Sequence, residues 1–426
     1  MPEFLTLLPP DDARSLLLSH LPPSEADSES VEVTASLNRT LAEDILAPHP
    51  LPEFQRTTVD GCAVRARDTF GASDSLPAYL TLVGEVPMGD APAFEIAEGQ
   101  CASIHTGGML PPGADAVVML EYSQSTVGAG LRPAPTQTEI EIFRAVAEGE
   151  NIIRVGEDVA EGQLILPKGR VMRPAEVGGL LALGITSVRI VKKPMIGLIS
   201  TGDEVIDPSQ SPRPGQVRDI NSYTLGALIE KSGGVAKRYG IFADQFEALK
   251  DAAAKALSEC DAVIITAGSS ASTRDMTADV IRELGEPGVL VHGINTRPGK
   301  PTILSVCNGK AVIGLPGNPV SALVNGYLFV VPVIEKLLGT LPKPKATVLA
   351  RLTVNLPSQA GREDWWPVKL LPSPFRKGGE GEVYDAEPIF GKSNLIFNLA
   401  NADGLLRISP DATGLSADET VEVVLI

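Results

Sequence analysis

The sequence predicts a multidomain α/β protein: a central α/β domain with a parallel-rich sheet, an inserted β domain and a C-terminal β-barrel. Three observations carry that expectation. Between Met195 and Leu338, short apolar runs alternate with helical patterns, the mark of a mostly parallel sheet covered by helices. From Pro48 to about Gly149, short β-rich runs are bounded by turn residues such as Pro87-Met-Gly89 and Pro111-Pro-Gly113. From Ala346 to Ile426 the text returns to short strands, as in a compact barrel.

Taken in order, the first segment has a helical pattern from Asp12 to His20, and Ser36 to Leu46 also looks helical. The inserted domain holds strand-like runs Tyr79–Val83, Gln100–Ile104, Ala116–Leu120 and Glu139–Phe143. Next come a helix from Pro174 to Leu183 and a strand from Ser187 to Val191. Their style resembles the first segment, so the β domain reads as an insertion between two halves of one domain. In the α/β domain the expected strands are Met195–Ile199, Val235–Phe242, Ala262–Thr266, Val289–Gly293, Ile303–Val306 and Ala311–Leu315. Its helices are expected at Ser222–Ser232, Phe246–Ser258, Met276–Leu284 and Pro319–Leu338, the last capped by Asn318. The tail strands are Thr347–Val354, Pro367–Leu371, Glu382–Phe390, Leu395–Leu399, Gly404–Ile408 and Thr420–Ile426. The expected domains are 1–47 with 150–193, then 48–149, 194–339 and 340–426.

Composition narrows the function. The 426 residues carry 53 acidic and 36 basic side chains, a net charge of −17, which argues against bulk attraction to nucleic acid or anionic membrane. A bound anion must therefore be held by a local positive cluster. Cys62, Cys101, Cys260 and Cys307 are far apart and form no Cys-x-x-Cys unit, so buried thiols in a reducing cytoplasm are expected. No basic region followed by an apolar core marks the N-terminus as a secretory signal.

The chemistry is expected where strands of the α/β sheet run into loops. Three such loops are rich in small and polar residues: Ser200-Thr-Gly-Asp-Glu204, Ala267-Gly-Ser-Ser-Ala-Ser-Thr-Arg-Asp275 and Pro316-Gly-Asn-Pro319. Backbone N–H groups in such loops converge on an oxyanion. Asp203, Glu204, Asp219, Asp244 and Asp275 crowd the same edge, where a divalent cation such as Mg²⁺ would bridge acids and phosphate. Caps and turns are the alternative reading, for Asp219 and for Asp244 as a helix N-cap. A basic loop, Asn295-Thr-Arg-Pro-Gly-Lys-Pro301, offers Arg297 and Lys300 as an oxyanion trap, or else is a solvated hairpin turn. Asp60-Gly61 reads on its own as a hairpin turn, and Gly361-Arg362 and Gly391-Lys-Ser393 as loop tips.

Together these strings resemble the molybdopterin molybdenumtransferase family (MoeA/gephyrin type) over nearly the whole chain. The resemblance rests on Leu51-Pro-x-Phe with Val59-Asp-Gly, Thr106-Gly with Gly113-Ala-Asp-Ala-Val-Val-Met119, and Gly156-Glu-Asp158. It continues through Ser200-Thr-Gly-Asp-Glu204, Asp219 with Asn221, Pro298-Gly-Lys-Pro301 and Gly314-Leu-Pro-Gly-Asn-Pro-Val-Ser321. The resemblance implies a MoaB/Mog-like third domain in a homodimer. It also implies insertion of molybdate into adenylylated molybdopterin, with Mg²⁺-dependent release of AMP.

Residue by residue, it implies that Thr201, Gly202, Gly268, Ser269, Ser270 and the turn Pro316, Gly317, Asn318, Pro319 cradle pterin and phosphate. Asp244 and Asp275 would hold Mg²⁺, with Asp203, Glu204 and the partner copy's Asp60 beside them. Arg297, Pro298, Gly299, Lys300, Arg362 and Ser393 match the oxyanion-capturing positions. Partners implied are an upstream molybdopterin adenylyltransferase and molybdoenzyme maturation factors, with no nucleic acid and no membrane. Alternatives are a tungstate-preferring insertase or a non-catalytic molybdopterin-binding scaffold. The chain departs from the pattern at four points: a Gly268-Ser-Ser-Ala-Ser272 loop one residue short, Cys62 for a tyrosine, Gly293 for a lysine, and Arg297 for a common lysine.

Overall fold

The computed structural model describes residues 7–23, 27–126, 138–267, 271–372 and 384–426. The chain forms two compact units. One comprises residues 43–168 and 174–187, and the other 1–42, 169–173 and 188–426.

The smaller unit is built on a six-stranded sheet. Its strands are β1 (Gly61–Val64), β2 (Ala78–Glu85), β3 (Gln100–Ile104), β4 (Ala116–Met119), β5 (Ser123–Thr126) and β6 (Glu139–Ile142). They lie in the order β4-β1-β3-β2-β6-β5. Alternation puts Cys62, Val64, Cys101 and Val118 in one core and Ala63, Ala102, Ile104 and Val117 in another, so both faces are covered. Asp60-Gly61 is therefore not a hairpin turn but the entry to a central strand. Gly61 is required there, because a Cβ would sit 1.9 Å from the Val118 carbonyl oxygen.

The larger unit has a doubly covered α/β sheet. Its strands are β7 (Met195–Thr201), β8 (Val235–Phe242), β9 (Ala262–Ala267), β10 (Pro287–His292), β11 (Ile303–Cys307) and β12 (Lys310–Pro316). The order is β8-β7-β9-β12-β11-β10, parallel from β8 to β12 and antiparallel beyond. Helices α1 (Pro10–His20), α2 (Asn221–Lys231) and α5 (Pro319–Leu337) cover the face carrying Ile196, Leu198, Ile264 and Ile313. Helices α3 (Phe246–Glu259) and α4 (Ala271–Glu283) cover the face carrying Ile199, Val263, Ile265 and Val312. Helix α5 is long and apolar enough to cross a membrane, but its Val320, Val324, Phe329, Val333 and Ile334 are core residues of this unit. It contains a π turn, Gly326–Val330, directly after Asn325.

The tail of the larger unit is a closed five-stranded barrel. Strands β13 (Thr347–Leu352), β14 (Glu363–Pro372), β15 (Tyr384–Pro388), β16 (Gly404–Ile408) and β17 (Thr420–Leu425) run β14-β15-β13-β17-β16, and β16 pairs back onto β14. Closure removes the sheet edges. Ala350, Leu352, Val368, Leu406 and Val423 fill the interior.

Two expected elements are corrected. Ser36 to Leu46 is not a helix, although apolar Leu37, Leu41 and Ile45 recur at helical spacing. Asn38 takes φ 61°, Leu41 bridges Ile190, and Ile45–Leu46 pairs with Leu164–Leu166. Backbone pairing with distant segments outweighs the local pattern. Leu395–Leu399 is not a strand but leads into the short helix Phe397–Ala400, which buries Leu399 and leaves Phe397 exposed. All four cysteines are free and buried, as expected.

Candidate functional site

The ends of four parallel strands in the larger unit line up by register. Thr201 pairs with Phe242, Ser200 with Thr266, and Ala267 with Pro316. The loops read from the sequence as anion-binding therefore leave the sheet along one edge, where an open α/β sheet places its ligand. Thr201 is buried, and its Oγ1 has no hydrogen-bond partner among the described residues. Asn221, at the start of α2, donates from Nδ2 to the Gly317 carbonyl (2.8 Å), while its buried Oδ1 accepts nothing among those residues. A buried polar atom without a partner is costly unless a ligand or water completes it. Thr201 and Asn221 thus present one hydroxyl and one amide oxygen to a polar ligand.

The acids divide by role. Asp219 is a scaffold residue: it accepts from Ser200 Oγ (2.8 Å), Ser222 Oγ (2.7 Å) and the Ser222 backbone N–H (3.2 Å). Its carboxylate ties the end of β7 to the first turn of α2 and is spent in doing so. Asp244 is not the N-cap of α3, since that position belongs to Gln245. Its backbone N–H instead donates to Asp203 Oδ1 (3.2 Å), which joins the loops after β7 and β8. Glu204 is half-buried beside Gly202 and holds the Val217 N–H through its carbonyl (2.8 Å). Asp275 falls in the first turns of α4, and its side chain lies outside the described residues, as do Gly268, Ser269 and Ser270. Among the described residues no group of three His, Cys, Asp or Glu side chains is arranged to hold a metal. Asp203 and Asp244 still offer the hard oxygen donors that Mg²⁺ takes when phosphate and water complete its shell.

The basic loop is not a free hairpin. Thr296–Arg297 adds to the barrel as a two-residue parallel strand, with Thr296 opposite Glu363 and Arg297 opposite Asp364. Asn295 Nδ2 donates to the Gly361 carbonyl, so the tip carrying Arg362 is fastened to the same loop. Gly299 is obligatory: φ is 106°, and a Cβ would lie 1.7 Å from Asn325 Nδ2. That amide donates to Pro298 O (3.2 Å) and Ser321 O (2.8 Å), anchoring the loop on α5.

These contacts bring two guanidiniums together. Arg362 makes a bidentate pair with Asp364, Nε to Oδ1 at 2.7 Å and Nη2 to Oδ2 at 3.1 Å. Arg297 Nη1 lies 3.8 Å from the same carboxylate, and its guanidinium sits 5.2 Å from the Trp366 ring centroid. Asp364 is 1% exposed whereas Arg297 is 54% exposed, so the acid is inside and the cation faces out. Lys300 is exposed in the same loop. Ser393 is half-buried, and its carbonyl accepts from Val320 N–H (3.0 Å), placing that tip at the start of α5 beside Asn318 and Pro319. Asn318 occupies the N-cap position of α5 but makes no side-chain cap bond.

Asp60 belongs to the smaller unit. Its exposed carboxylate accepts from the Thr106 backbone N–H (2.6 Å) and Oγ1 (2.9 Å). Those bonds, the backbone one foremost, hold its pKa below the ordinary aspartate value, with His105 adding a smaller attraction.

Three family models match the chain in order. They are described as the MoeA N-terminal region (domain I and II) over residues 8–184, a probable molybdopterin binding domain over 197–336, and the MoeA C-terminal region (domain IV) over 349–426. A putative molybdopterin biosynthesis protein of Methanocaldococcus jannaschii is 37% identical across 93% of this chain and 92% of its own. The chain belongs to the MoeA family. A molybdopterin molybdenumtransferase of Bacillus subtilis is 31% identical across 94% of this chain and 90% of its own. A crystal structure of a molybdopterin biosynthesis MoeA protein from Pyrococcus horikoshii matches with TM-score 0.83 and 32% identity, covering 99% of this chain and 100% of that one.

Within this MoeA-family chain, the larger unit brings together Thr201, Gly202, Asp203, Glu204 and Asp244 along one strand-end edge. Hydrogen bonds from Asn221 to Gly317, and from Asn325 to the Pro298 loop, run on from it to the pair Arg297 and Arg362. Sequence reasoning missed Asp364, Trp366 and Asn325. Period-two spacing from Arg362 marks Asp364 and Trp366 as facing the same way along a strand. No local signal marks Asn325, six residues into an apolar helix.

Proposed function

We propose that this chain is a molybdopterin molybdenumtransferase, inserting molybdate into adenylylated molybdopterin with Mg²⁺-dependent release of AMP in molybdenum cofactor biosynthesis. The observation that carries the reading is the guanidinium pair on buried Asp364, with Arg297 exposed and Arg362 half-buried, at the junction of the α/β sheet and the barrel in a chain with a net charge of −17. Two guanidiniums on one buried carboxylate leave a net positive spot with N–H donors facing out, which suits a tetrahedral dianion.

In this mechanism Arg297, Lys300 and Arg362 bind the oxyanion, with Ser393 at the rim. The Thr201 hydroxyl and the Asn221 amide oxygen, unpartnered among the described residues, bind the polar edge of the pterin. In the Pro316–Pro319 turn, which opens the long helix α5, the Gly317 and Asn318 N–H groups would face phosphate. Mg²⁺, held by Asp244 and Asp275, would neutralise charge at the phosphoanhydride. Asp203 and Glu204 orient the loop that carries this edge. Catalysis on this account is charge neutralisation and positioning rather than covalent chemistry on the protein.

The working form is taken to be a cytoplasmic homodimer in which one copy's Asp60 approaches the other copy's cleft. Its first domain is proposed to be built from two segments, 1–47 and 150–193, on either side of the inserted β domain. The substrate would come from a molybdopterin adenylyltransferase, and the product would pass to molybdoenzyme maturation factors. Purified protein with adenylyl-molybdopterin, Mg²⁺ and molybdate should release AMP, and Asp275→Ala should abolish that release. Unchanged release in the variant removes the metal assignment, and no release from the unaltered protein favours a binding scaffold.

A further inference from the structure

We propose that Trp366 is a positioning residue for oxyanion capture: its ring holds the Arg297 guanidinium in the orientation that makes a fork with Arg362. The inference deepens the oxyanion-site reading above and rests on it.

Strand β14 alternates, so Asp364 and Trp366 share one face, and Arg362, just before the strand, reaches that face through its bidentate pair with Asp364. Parallel pairing puts Arg297 beside Asp364, within reach of both the carboxylate and the indole. Asp364 is largely committed, since both of its oxygens bond Arg362 at 2.7 and 3.1 Å. Its 3.8 Å approach to Arg297 is too long for a hydrogen bond and fixes no orientation. Among the described residues, what remains to orient this half-exposed side chain is the indole, 5.2 Å from its centre. The indole is itself braced by Phe390, whose ring meets it edge-on at 5.6 Å and 69°. The Trp366 Nε1–H is buried without a partner among the described residues, so the ring is held by its faces and edges rather than by its donor. A guanidinium held over a ring face keeps its charge against the ring while its N–H donors stay free to point away from it. A lysine at this position would present only a point charge.

The test is titration of sodium tungstate into the full-length protein, with Kd read by calorimetry. Arg297→Ala should weaken binding about tenfold or more, the loss of a charged hydrogen-bond donor. Trp366→Leu should weaken it about two- to fivefold, and Trp366→Phe, which keeps a ring face, should restore most of that loss. In the Arg297→Ala background, Trp366→Leu should cause no further loss, a result that a merely structural role for the indole would not give. If Trp366→Leu does not fold, Trp366→Met, also apolar and ringless, takes its place. Tungstate affinity unchanged by Arg297→Ala overturns the oxyanion-site reading itself. Weakening by Arg297→Ala with wild-type affinity in Trp366→Leu overturns the positioning role alone. An undiminished effect of Trp366→Leu without Arg297, or Phe as poor as Leu, also overturns it.

Discussion

Asp364 shows how one buried carboxylate organises a cluster of one exposed and one half-buried guanidinium. Removing its charge with Asp364→Asn leaves Arg362 without its ion partner and should cost about 1–3 kcal/mol. A fall in the thermal unfolding midpoint checks this, and an unchanged midpoint would show that the clamp contributes nothing. Asp60 is a case of local hydrogen bonding depressing a pKa. Its carboxyl should titrate below the ordinary aspartate value by carbon-13 NMR, and Thr106→Val, which removes one of the two donors from the residue, should move it part of the way back. A depressed carboxylate pKa contributes stability that is present above the unfolded-state pKa and is lost as pH falls through the folded value. Acid should therefore loosen the Asp60–Thr106 contact only below the usual aspartate range. Arg297 and Lys300 stand out in the sequence because charges in a Gly- and Pro-rich loop are conspicuous, whereas Arg362, a loop tip on its own, is marked only by the family resemblance. The sequence concealed Asp364, because an acid beside Glu363 on a strand looks like any solvated pair.

At the scale of elements, the basic loop and helix α5 behave as one device. Gly299 lets the loop pass within contact of Asn325, and the π turn begins at the next residue, a break in helix register of the kind often found at functional sites. Gly299→Ala meets both a positive φ and a clash, and should lower stability by about 1–3 kcal/mol and weaken tungstate binding with it. Wild-type tungstate affinity in a folded Gly299→Ala protein would detach the loop's shape from its function. The buried side of α5 is tested by Phe329→Ala, expected to cost about 3–5 kcal/mol by calorimetric unfolding. Strands β7 to β12 and helices α2 to α5 were legible because apolar alternation and helical periodicity agree with the burial they encounter. Ser36 to Leu46 misled because its four-residue apolar spacing is equally served by an extended segment paired at Leu41 and Ile45. Leu395 to Leu399 misled because five residues are too few to separate a strand from one helical turn.

For the molecule as a whole, the acidic surface and the small cationic junction are complementary features. A negatively charged body excludes polyanions while the junction retains a small dianion, so tungstate affinity should fall as ionic strength rises. The oligomer proposal predicts twice the monomer mass by sedimentation, and a purely monomeric protein would leave Asp60 no route to a partner's cleft. The barrel was legible from its strands, but its union with the basic loop through Thr296–Arg297 was not, because two residues carry no periodicity. The most direct measurement is anomalous diffraction at the tungsten edge from crystals soaked in tungstate. The account predicts a peak within hydrogen-bonding reach of Arg297, Lys300 and Arg362, whereas crystals with tungsten bound elsewhere and this junction empty would contradict it.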